Sequence, residues 1–400
     1  MPASTRLQPP PTASELRERF DAVTPFTVGI EEEAMLLDGD TLDLAPRADA
    51  VLSRLGGDAR FSRELPAAQV EIATAPTAQV ADALAQLAAA RADLIAACEG
   101  IARPAAAGVH PFAAPSGALN EGRRYEHIRA AYEPVAQRQL VAALQVHVAV
   151  GGAERTLAVH DALRSFLPEL AALAANGALY DGRDSGLASA RPLVCRLLPR
   201  QGVPPALKSW ERVAAELAWG AEAGTVTEPR LWWWELRPHP TWGTLELRVP
   251  DAQTTLADAA GVIVVAQALV AWLAERYDAG EPLPAAPGWR IEENRFSALR
   301  NGLDGELADL ERGERTPTRE RLAALLDTLT PVAERLGAGA LLPHARALAQ
   351  RNGAIRQRAV AAEQGVRGLA AWMAERYGDP LASADPGVLG TAGGGVRREQ

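Results

Sequence analysis

The chain contains several short segments in which apolar and polar residues alternate, a pattern that is typical of β-strands. The most regular one covers residues 244–249. Its apolar positions are Leu245, Leu247 and Val249, and its polar positions are Thr244, Glu246 and Arg248. Three consecutive Trp at 232–234 and a fourth, Trp242, lie just before it. We therefore predict an enclosed hairpin over residues 231–251. An unpaired buried charge is costly, so enclosed Glu and Arg side chains need partners, and the polar face is a candidate working surface.

Three further segments predict strands, namely FTVGIEEEAMLLDGD (26–40), AAQVEIATAP (67–76) and AALQVHVAVGG (142–152). In the first, alternation places Glu31 and Glu33 on one face and Glu32 on the other. Two carboxylates on one strand face repel each other, so this arrangement has a cost in free energy. The alternative explanation, which stays open here, is an exposed edge strand whose charges prevent aggregation.

The second and third of these strands carry polar residues within the same alternation. Glu71 lies in the second, while Gln145 and His147 share one face of the third. A single His in a strand is more often a hydrogen-bonded structural residue than a ligand. That alternative loses weight only if carboxylates of other strands converge on the imidazole.

Apolar residues at helical spacing predict helices over most of the remaining chain. The predicted helices cover residues 14–20, 77–101 (with Thr77 as the cap), 121–140, 155–176, 206–222, 255–277 (with Thr255 and Asp258 as a capping box), 289–302, 316–337, 341–352 and 354–376. A long loop at 176–191 is of a kind that is often functional or mobile. The strands do not alternate strictly with helices, which favours an α+β fold: a largely antiparallel sheet backed by helices, with a helical C-terminal part.

Composition narrows the class of protein. We predict one domain at 23–377, between a flexible N-terminus at 1–22 and a disordered low-complexity tail at 378–400. The net charge of −9 makes nucleic acid an unexpected partner. The two cysteines have no metal-binding spacing, and no signal peptide is visible, which fits a reduced, cytoplasmic protein. The apolar run at 259–274 is interrupted by Gln267 and is shorter than the ~20 residues of a membrane span.

The polar strand faces together offer one set of groups, which is Glu31, Glu33, Glu71, His147, Glu235, Glu246, Arg237 and Arg248. Carboxylates with one imidazole and no thiol favour Mg²⁺ or Mn²⁺ over structural zinc. Without a cation, clustered carboxylates would have raised pKa values. Carboxylate-bound Mg²⁺ with Arg is the usual means of neutralising a transferring phosphoryl group. No P-loop or Rossmann motif is present, so ATP would be held by the sheet face itself through metal ions.

The ordered motifs TVGIEEE, VEIATAP, GVHPF, QVHVAV, NGALYDGRDSGLASAR, ELRPHPTWGTLELRVPDAQT, ENRFSALRNGLDGEL and RNGAIRQR extend over residues 24–365. With these motifs the chain resembles the carboxylate–amine ligase family, also called type 2 glutamate–cysteine ligase. The resemblance implies a glutamine-synthetase-like fold with a curved antiparallel sheet. It also implies a reaction in which ATP phosphorylates a substrate carboxylate and an amine attacks the acyl phosphate, yielding an amide, ADP and phosphate.

The resemblance also implies roles for individual residues. The implied ligands of Mg²⁺ or Mn²⁺ are Glu31, Glu33, Glu71, His147 and Glu246. The implied catalytic residues, which contact phosphate or a substrate carboxylate, are Arg248, Arg237 and Arg191. The implied ATP-binding residues are Arg248, Arg191 and Gln145. The expected partners are small-molecule carboxylate and amine substrates, with glutamate and cysteine as candidates, and a second copy of the chain in a homodimer.

The chain departs from the family pattern at a few positions near the expected substrate site. The strand usually written HVHVGV has Gln145 and Ala149, the loop usually opening NSPFW reads NGALY, and the DIRPSP-like motif has Glu235 and His239. These changes leave the identity of the carboxylate and the amine open. Two other functions stay open as well: a non-catalytic ATP-binding or scaffold protein, and a phosphotransferase such as a guanidino kinase.

Overall fold

A computed structural model describes residues 9–381 of the chain. Within them the strands are β1 (Val28–Leu37), β2 (Phe61–Arg63), β3 (Gln69–Ala73), β4 (Arg103–Ala105), β5 (Leu144–Ala149), β6 (Leu179–Tyr180), β7 (Arg183–Asp184), β8 (Leu236–His239), β9 (Thr244–Leu247), β10 (Glu306–Ala308) and β11 (Arg315–Pro317). Most of them form one sheet in the order β2-β3-β1-β5-β9-β8, with β4 paired to the far end of β1. All pairs in this sheet are antiparallel, so the predicted antiparallel sheet is confirmed.

The helices of the described chain are α1 (Ala13–Asp21), α2 (Ala48–Arg54), α3 (Val80–Cys98), α4 (Arg123–Tyr132), α5 (Ala153–Leu163), α6 (Leu167–Leu173), α7 (Arg191–Cys195), α8 (Trp210–Glu222), α9 (Leu256–Asp278), α10 (Gly288–Asn301), α11 (Thr318–Arg335), α12 (Leu342–Gln350) and α13 (Gly353–Arg376). The helices that follow the β8–β9 hairpin make up most of the C-terminal third of the chain, which agrees with the predicted helical C-terminal part. Between α10 and α11, β10 and β11 form a small hairpin that the sequence pattern did not predict.

The helices cover one face of the sheet, and α9 lies at the centre of this layer. Helix α3 packs against β1, and α9 packs against β5 and against α5, α11 and α12. The face of the sheet beneath them is apolar, with Ile30, Ile72, Val146 and Leu247 all buried. By length and composition α9 could cross a membrane, yet it is almost entirely enclosed by the rest of the protein. It is therefore the core helix of the domain.

Some helix ends lie where the local sequence predicts them, and others do not. Thr255 caps α9 by accepting a hydrogen bond from the backbone N–H of Asp258, as predicted. Helix α3 begins at Val80 after Gln79, so the predicted start at Thr77 is wrong. The helix predicted to run to residue 176 is divided by a 3₁₀ turn at Arg164–Phe166, and Pro168 lies in the first turn of α6, where proline is well tolerated.

The N-terminal part also differs from the prediction. Helix α1 lies within the segment predicted to be flexible, and its Leu16 and Phe20 are fully buried. Phe20 packs on Trp210 of α8 with 4.6 Å between the ring centroids. Burial of these apolar side chains stabilises the packing of α1 on the domain, although α1 precedes the predicted domain start at residue 23. Of the predicted flexible N-terminus at 1–22 and the predicted tail at 378–400, residues 1–8 and 382–400 lie outside the described residues.

Candidate active site

The second face of the sheet carries the polar residues that sequence alternation singled out. Cross-strand partners point to the same face, and the register pairs Glu33 with Glu71, Glu31 with Gln145, and Glu246 with both His147 and Arg237. Side chains from five neighbouring strands therefore meet on one surface. Glu32 points to the opposite face, where it pairs with buried Arg91. The predicted division of the three glutamates between the faces is correct.

A cleft of about 1300 Å³ lies over this polar face. Its walls come from α1, α4, α7 and α8, and from the segment that leads into the hairpin, including Trp233. Of the 176–191 loop, only Arg191 lines the cleft. The altered NGALY sequence at the start of that loop is thus not part of the cleft wall, contrary to the expectation that it lies near the substrate mouth.

The first candidate cation site consists of Glu31, His147 and Glu246, whose ligand atoms lie within 4.8 Å of one another. Nδ1 of His147 pairs with the hydroxyl of Thr244 at 3.0 Å, which orients the ring. Its Nε2 is buried and has no hydrogen-bond partner among residues 9–381. This nitrogen lies 3.7 Å from Oε2 of Glu31, too far for a hydrogen bond. An orphaned imidazole nitrogen facing two carboxylates fits a divalent cation.

The second candidate cation site consists of Glu33, Glu64 and Glu71. Burial, followed by the charge of Glu64, raises the pKa of Glu33 to about 7. Burial, followed by the charges of Glu31, Glu64 and Glu33, raises the pKa of Glu71 well above its ordinary value. Clustered carboxylates behave in this way when no cation compensates them. A bound divalent cation would turn this mutual repulsion into attraction.

Glu246 lies in a different electrostatic environment. Arg237 forms a bidentate pair with it, through bonds of 2.7 and 2.9 Å, and Arg248 donates to it from Nη1. Burial alone would raise the pKa of Glu246, but the two guanidinium groups lower it well below the ordinary value. Glu246 is therefore ionised and fixed in position. Its Oε1 accepts from both arginines, whereas Oε2 accepts from Arg237 alone and therefore keeps a lone pair for a cation.

Gln145 lies between the two carboxylate clusters. Its side-chain nitrogen donates to Oε1 of Glu33 at 2.7 Å, and its side-chain oxygen accepts from Nη1 of Arg248 at 2.5 Å. The residue is almost completely buried. The predicted ATP-binding role of Gln145 is not visible in these bonds, which join protein groups to one another.

The other two predicted arginines are also engaged within the protein. Nη1 of Arg237 donates to the backbone oxygens of residues 230 and 232, so this side chain holds both Glu246 and the segment before β8. Arg191 pairs with Asp251 at 2.8 Å and donates to the backbone oxygen of Val249 at 2.6 Å. Arg248 differs from them, because both of its hydrogen bonds use Nη1 alone and its guanidinium lines the cleft. It is the arginine best placed to contact a bound anion.

The residues that depart from the family pattern have specific partners. Glu235 forms a bidentate pair with buried Arg295 of α10, with bonds of 2.8 and 2.7 Å. His239 stacks on Trp242 with 4.3 Å between ring centroids, and burial lowers the pKa of His239 to about 4. Trp242 also meets the ring of His147 edge-on at 4.8 Å. Ala149 is buried within β5.

Two charged residues of the cleft that sequence reasoning did not single out are Glu64 and Arg124. Glu64 lies in the connection between β2 and β3, outside any strand alternation, so no periodic pattern marks it. Arg124 of α4 lines the cleft near Glu228, and its Nε is buried without a hydrogen-bond partner in the described chain. Both reach the site only because loops and helices fold over the sheet.

The hairpin prediction needs one correction. Strands β8 and β9 are present and buried, as predicted. The three Trp at 232–234, however, precede β8 and are only half-buried, and Trp242 in the turn is 48% exposed. Trp233 lines the cleft and packs edge-on against Tyr132. Of the Trp run, Trp233 thus forms part of the cleft wall, whereas Trp232 and Trp234 line a separate, smaller cavity.

Comparison with known proteins places these features in a family. The family model described as Glutamate-cysteine ligase family 2 matches residues 27–371. The chain is 38% identical over 357 residues to a provisionally named glutamate–cysteine ligase 2-3 of Rubrobacter xylanophilus, covering 88% of this chain and 96% of that protein. A provisionally named glutamate–cysteine ligase 2-1 of Frankia alni is 32% identical over 352 residues, covering 86% and 92%.

The fold is also similar to that of a solved structure. The crystal structure of glutamate–cysteine ligase from Francisella tularensis in complex with AMP matches with a TM-score of 0.64, covering 90% of each chain at 13% identity. At this identity the likeness concerns the fold alone. It agrees with the predicted antiparallel sheet that helices cover on one face.

Proposed function

The chain belongs to glutamate–cysteine ligase family 2, and on this premise we propose that it is an ATP-dependent carboxylate–amine ligase. The observation that carries the proposal is the pair of carboxylate clusters, with Arg248 between them, on the polar face of the sheet. The orphaned Nε2 of His147 and the raised pKa values of Glu33 and Glu71 support cation binding at both clusters. Mg²⁺ or Mn²⁺ suits these oxygen-rich sites.

In the proposed site, Glu31, His147 and Glu246 hold one cation, and Glu33, Glu64 and Glu71 hold another. When bound, the cations neutralise charge on the ATP phosphates and on the transferring phosphoryl group. Arg248 contacts the same phosphoryl group through the nitrogens that Gln145 and Glu246 leave free. Arg237, Arg191 and Gln145 act mainly by holding Glu246, the end of β9 and Arg248 in place.

The reaction we propose has two steps. An oxygen of the substrate carboxylate attacks the γ-phosphorus of ATP, the bond from this phosphorus to the bridging oxygen breaks, and ADP leaves. The amine nitrogen then attacks the acyl carbon, the carbon–oxygen bond to phosphate breaks, and the nitrogen releases a proton. The cleft over the polar face would support this sequence by holding both substrates close to the transferring phosphoryl group.

Glutamate and cysteine are the first substrates to test, because the similar proteins carry the name of that ligase. The residues at 235 and 239 differ from the family pattern and line the cleft, so they are candidates for setting which carboxylate or amine is accepted. Glu235 is itself neutralised by Arg295 and therefore adds no free charge to the cleft.

The test is to incubate the purified protein with ATP, Mg²⁺ and glutamate, together with cysteine and a panel of other amines, and to measure ADP and amide. Metal-dependent formation of ADP and amide in equal amounts is the expected result. A stable phosphorylated product without amide would instead identify a phosphotransferase. ATP binding in calorimetry without turnover over the whole panel would identify a non-catalytic nucleotide-binding protein. Either result would overturn the proposal.

A further inference from the structure

A buried ion pair lies on the face of the sheet opposite the candidate active site, and the proposed reaction makes no use of it. Glu32 of β1 is fully buried. Its Oε1 accepts a hydrogen bond of 2.9 Å from Nε of Arg91 on α3, and its Oε2 accepts from Nη2 of the same guanidinium. The hydroxyl of Tyr377, the residue that follows α13, donates to Oε1 at 3.0 Å. Three elements that are distant in sequence thus meet at this carboxylate.

The guanidinium of Arg91 uses every donor it has. Nη1 donates to the backbone oxygens of Tyr377 at 3.1 Å and Thr254 at 3.4 Å, and Nη2 donates also to that of Gln253 at 2.8 Å. Together with the two bonds to Glu32, these bonds occupy all five N–H groups of the side chain. The guanidinium carbon also lies 4.4 Å from the centroid of the Tyr377 ring. The network therefore has no donor to spare, and each bond fixes one segment relative to Arg91.

Stability alone gives a poor reason for such a network. A buried ion pair loses the hydration of both charges, and an apolar pair of similar volume is often just as stable. A buried polar network whose members are all bonded instead holds them in one arrangement. The neighbours of Glu32 along β1 indicate what is held, because Glu31 belongs to the first candidate cation site and Glu33 to the second. Fixing the backbone at residue 32 fixes both ligands next to it.

The network also reaches the strand that supplies another ligand of the first site. The backbone oxygens at 253–254 that accept from Arg91 belong to the segment after β9, and β9 carries Glu246. Strand β5 lies between β1 and β9, so Glu31 and Glu246 come from strands that are not adjacent. Arg91 bonds to Glu32 on one of these strands and to the segment that follows the other. The separation of Glu31 and Glu246 thus depends on contacts to a single guanidinium.

We propose that Arg91 and Tyr377 are positioning residues for cation binding, which act through Glu32 and the 253–254 segment on the ligands of both candidate sites. This role rests on the proposed function, because it requires that the sites bind cations. Precise placement matters, since Mg²⁺ demands near-ideal octahedral geometry with ligands at about 2.0–2.1 Å. Tyr377 lies outside residues 27–371, which the family model matches, so membership of the family implies no role for it.

The test is the affinity of the purified full chain for Mn²⁺ alone, measured by calorimetry and by electron paramagnetic resonance of the free ion. The Tm of each variant is measured in chelator alongside. Tyr377→Phe removes one hydroxyl and should weaken Mn²⁺ binding about 3- to 10-fold, less than the ~10- to 100-fold that is typical of groups bonded directly to metal ligands. Arg91→Lys keeps the charge but loses the planar fork, and it should weaken binding by about tenfold or more.

Leu369→Ala is the matched control, because Leu369 is a fully buried apolar residue of α13. It should lower the Tm more than Tyr377→Phe does, since it leaves a cavity, and it should keep the Mn²⁺ affinity of the wild type. If affinity merely follows Tm across all variants, the network is structural and the positioning role is overturned. Variants at 91 and 377 that bind Mn²⁺ as tightly as the wild type would overturn it as well. A wild type that binds no Mn²⁺ would overturn the cation sites of the proposed function themselves, and the positioning role with them.

Discussion

The side-chain amide of Gln145 donates a 2.7 Å hydrogen bond to the carboxylate of Glu33. The same amide accepts a hydrogen bond from Arg248, which in turn donates to Glu246. One neutral residue therefore links the two carboxylate clusters. Because a rigid geometry of charged groups is what phosphoryl transfer requires, the link has consequences that can be measured.

Replacing Gln145 by Leu should lower kcat for ADP release about 10- to 100-fold, because hydrogen bonds to charged groups contribute ~1.5–3 kcal/mol each. KM for ATP should change less, since the cation ligands remain. Gln145→His is the matched control: an imidazole can donate from one nitrogen and accept at the other, so it should retain more activity. Equal activity in all three proteins would show that the link does not matter.

Glu246→Gln should leave the fold intact and lower activity by about 10² to 10³. The neutral amide no longer offers a charged ligand to a cation, and Arg237 and Arg248 lose their carboxylate partner. Steady-state rates measure the loss, while far-UV circular dichroism checks the fold. A fully active variant would place the chemistry elsewhere in the protein.

The stability of the metal-free protein should depend on pH through Glu33. Its pKa is about 7 in the folded protein against an ordinary value of 4.5, so the folded state binds more protons between these values. The contribution of this carboxyl to stability is therefore present below pH 4.5 and is lost as pH rises through 7.

Glu33→Gln removes this titration, so it serves as the reference. In chelator, the Tm of the variant minus that of the wild type should increase from pH 5 to pH 8. Taking this difference cancels the contributions of the buried histidines, which are common to both proteins. Added Mg²⁺ should raise the Tm of the wild type at pH 8 more than that of the variant. A difference that does not change with pH would contradict the raised pKa.

Arg295→Ala should destabilise the protein by about 3–5 kcal/mol, because it leaves Glu235 as an unpaired, largely buried carboxylate. Urea denaturation monitored by Trp fluorescence measures the change. The double variant Glu235→Gln and Arg295→Met removes both charges and should recover much of the loss. If the double variant is as unstable as Arg295→Ala, the loss of stability comes from lost packing rather than from the unpaired charge of Glu235.

The strand faces could be predicted from the sequence because strand geometry is local. A period of two residues decides that Glu31 and Glu33 share a face and that Glu32 does not, whatever the rest of the chain does. The order of the motifs was sufficient to identify the family, and the match of the family model to residues 27–371 confirms this identification. The first and last residues of the helices were predicted less accurately, since helix caps and helix breaks depend on residues outside the helix.

Which side chains meet was decided by the tertiary structure. Glu64 joins Glu33 and Glu71 from a loop without any periodic pattern, and Asp251 takes Arg191 as its partner across 60 residues. Distances and electrostatic environments of this kind depend on how strands pair and helices pack, which no local spacing contains. The sequence alone thus determined the elements, the polar face and the family. Only the packing of helices and loops over the sheet decided which carboxylates lie close together and that Arg248 bonds through Nη1 alone, because charges interact through space and not along the chain.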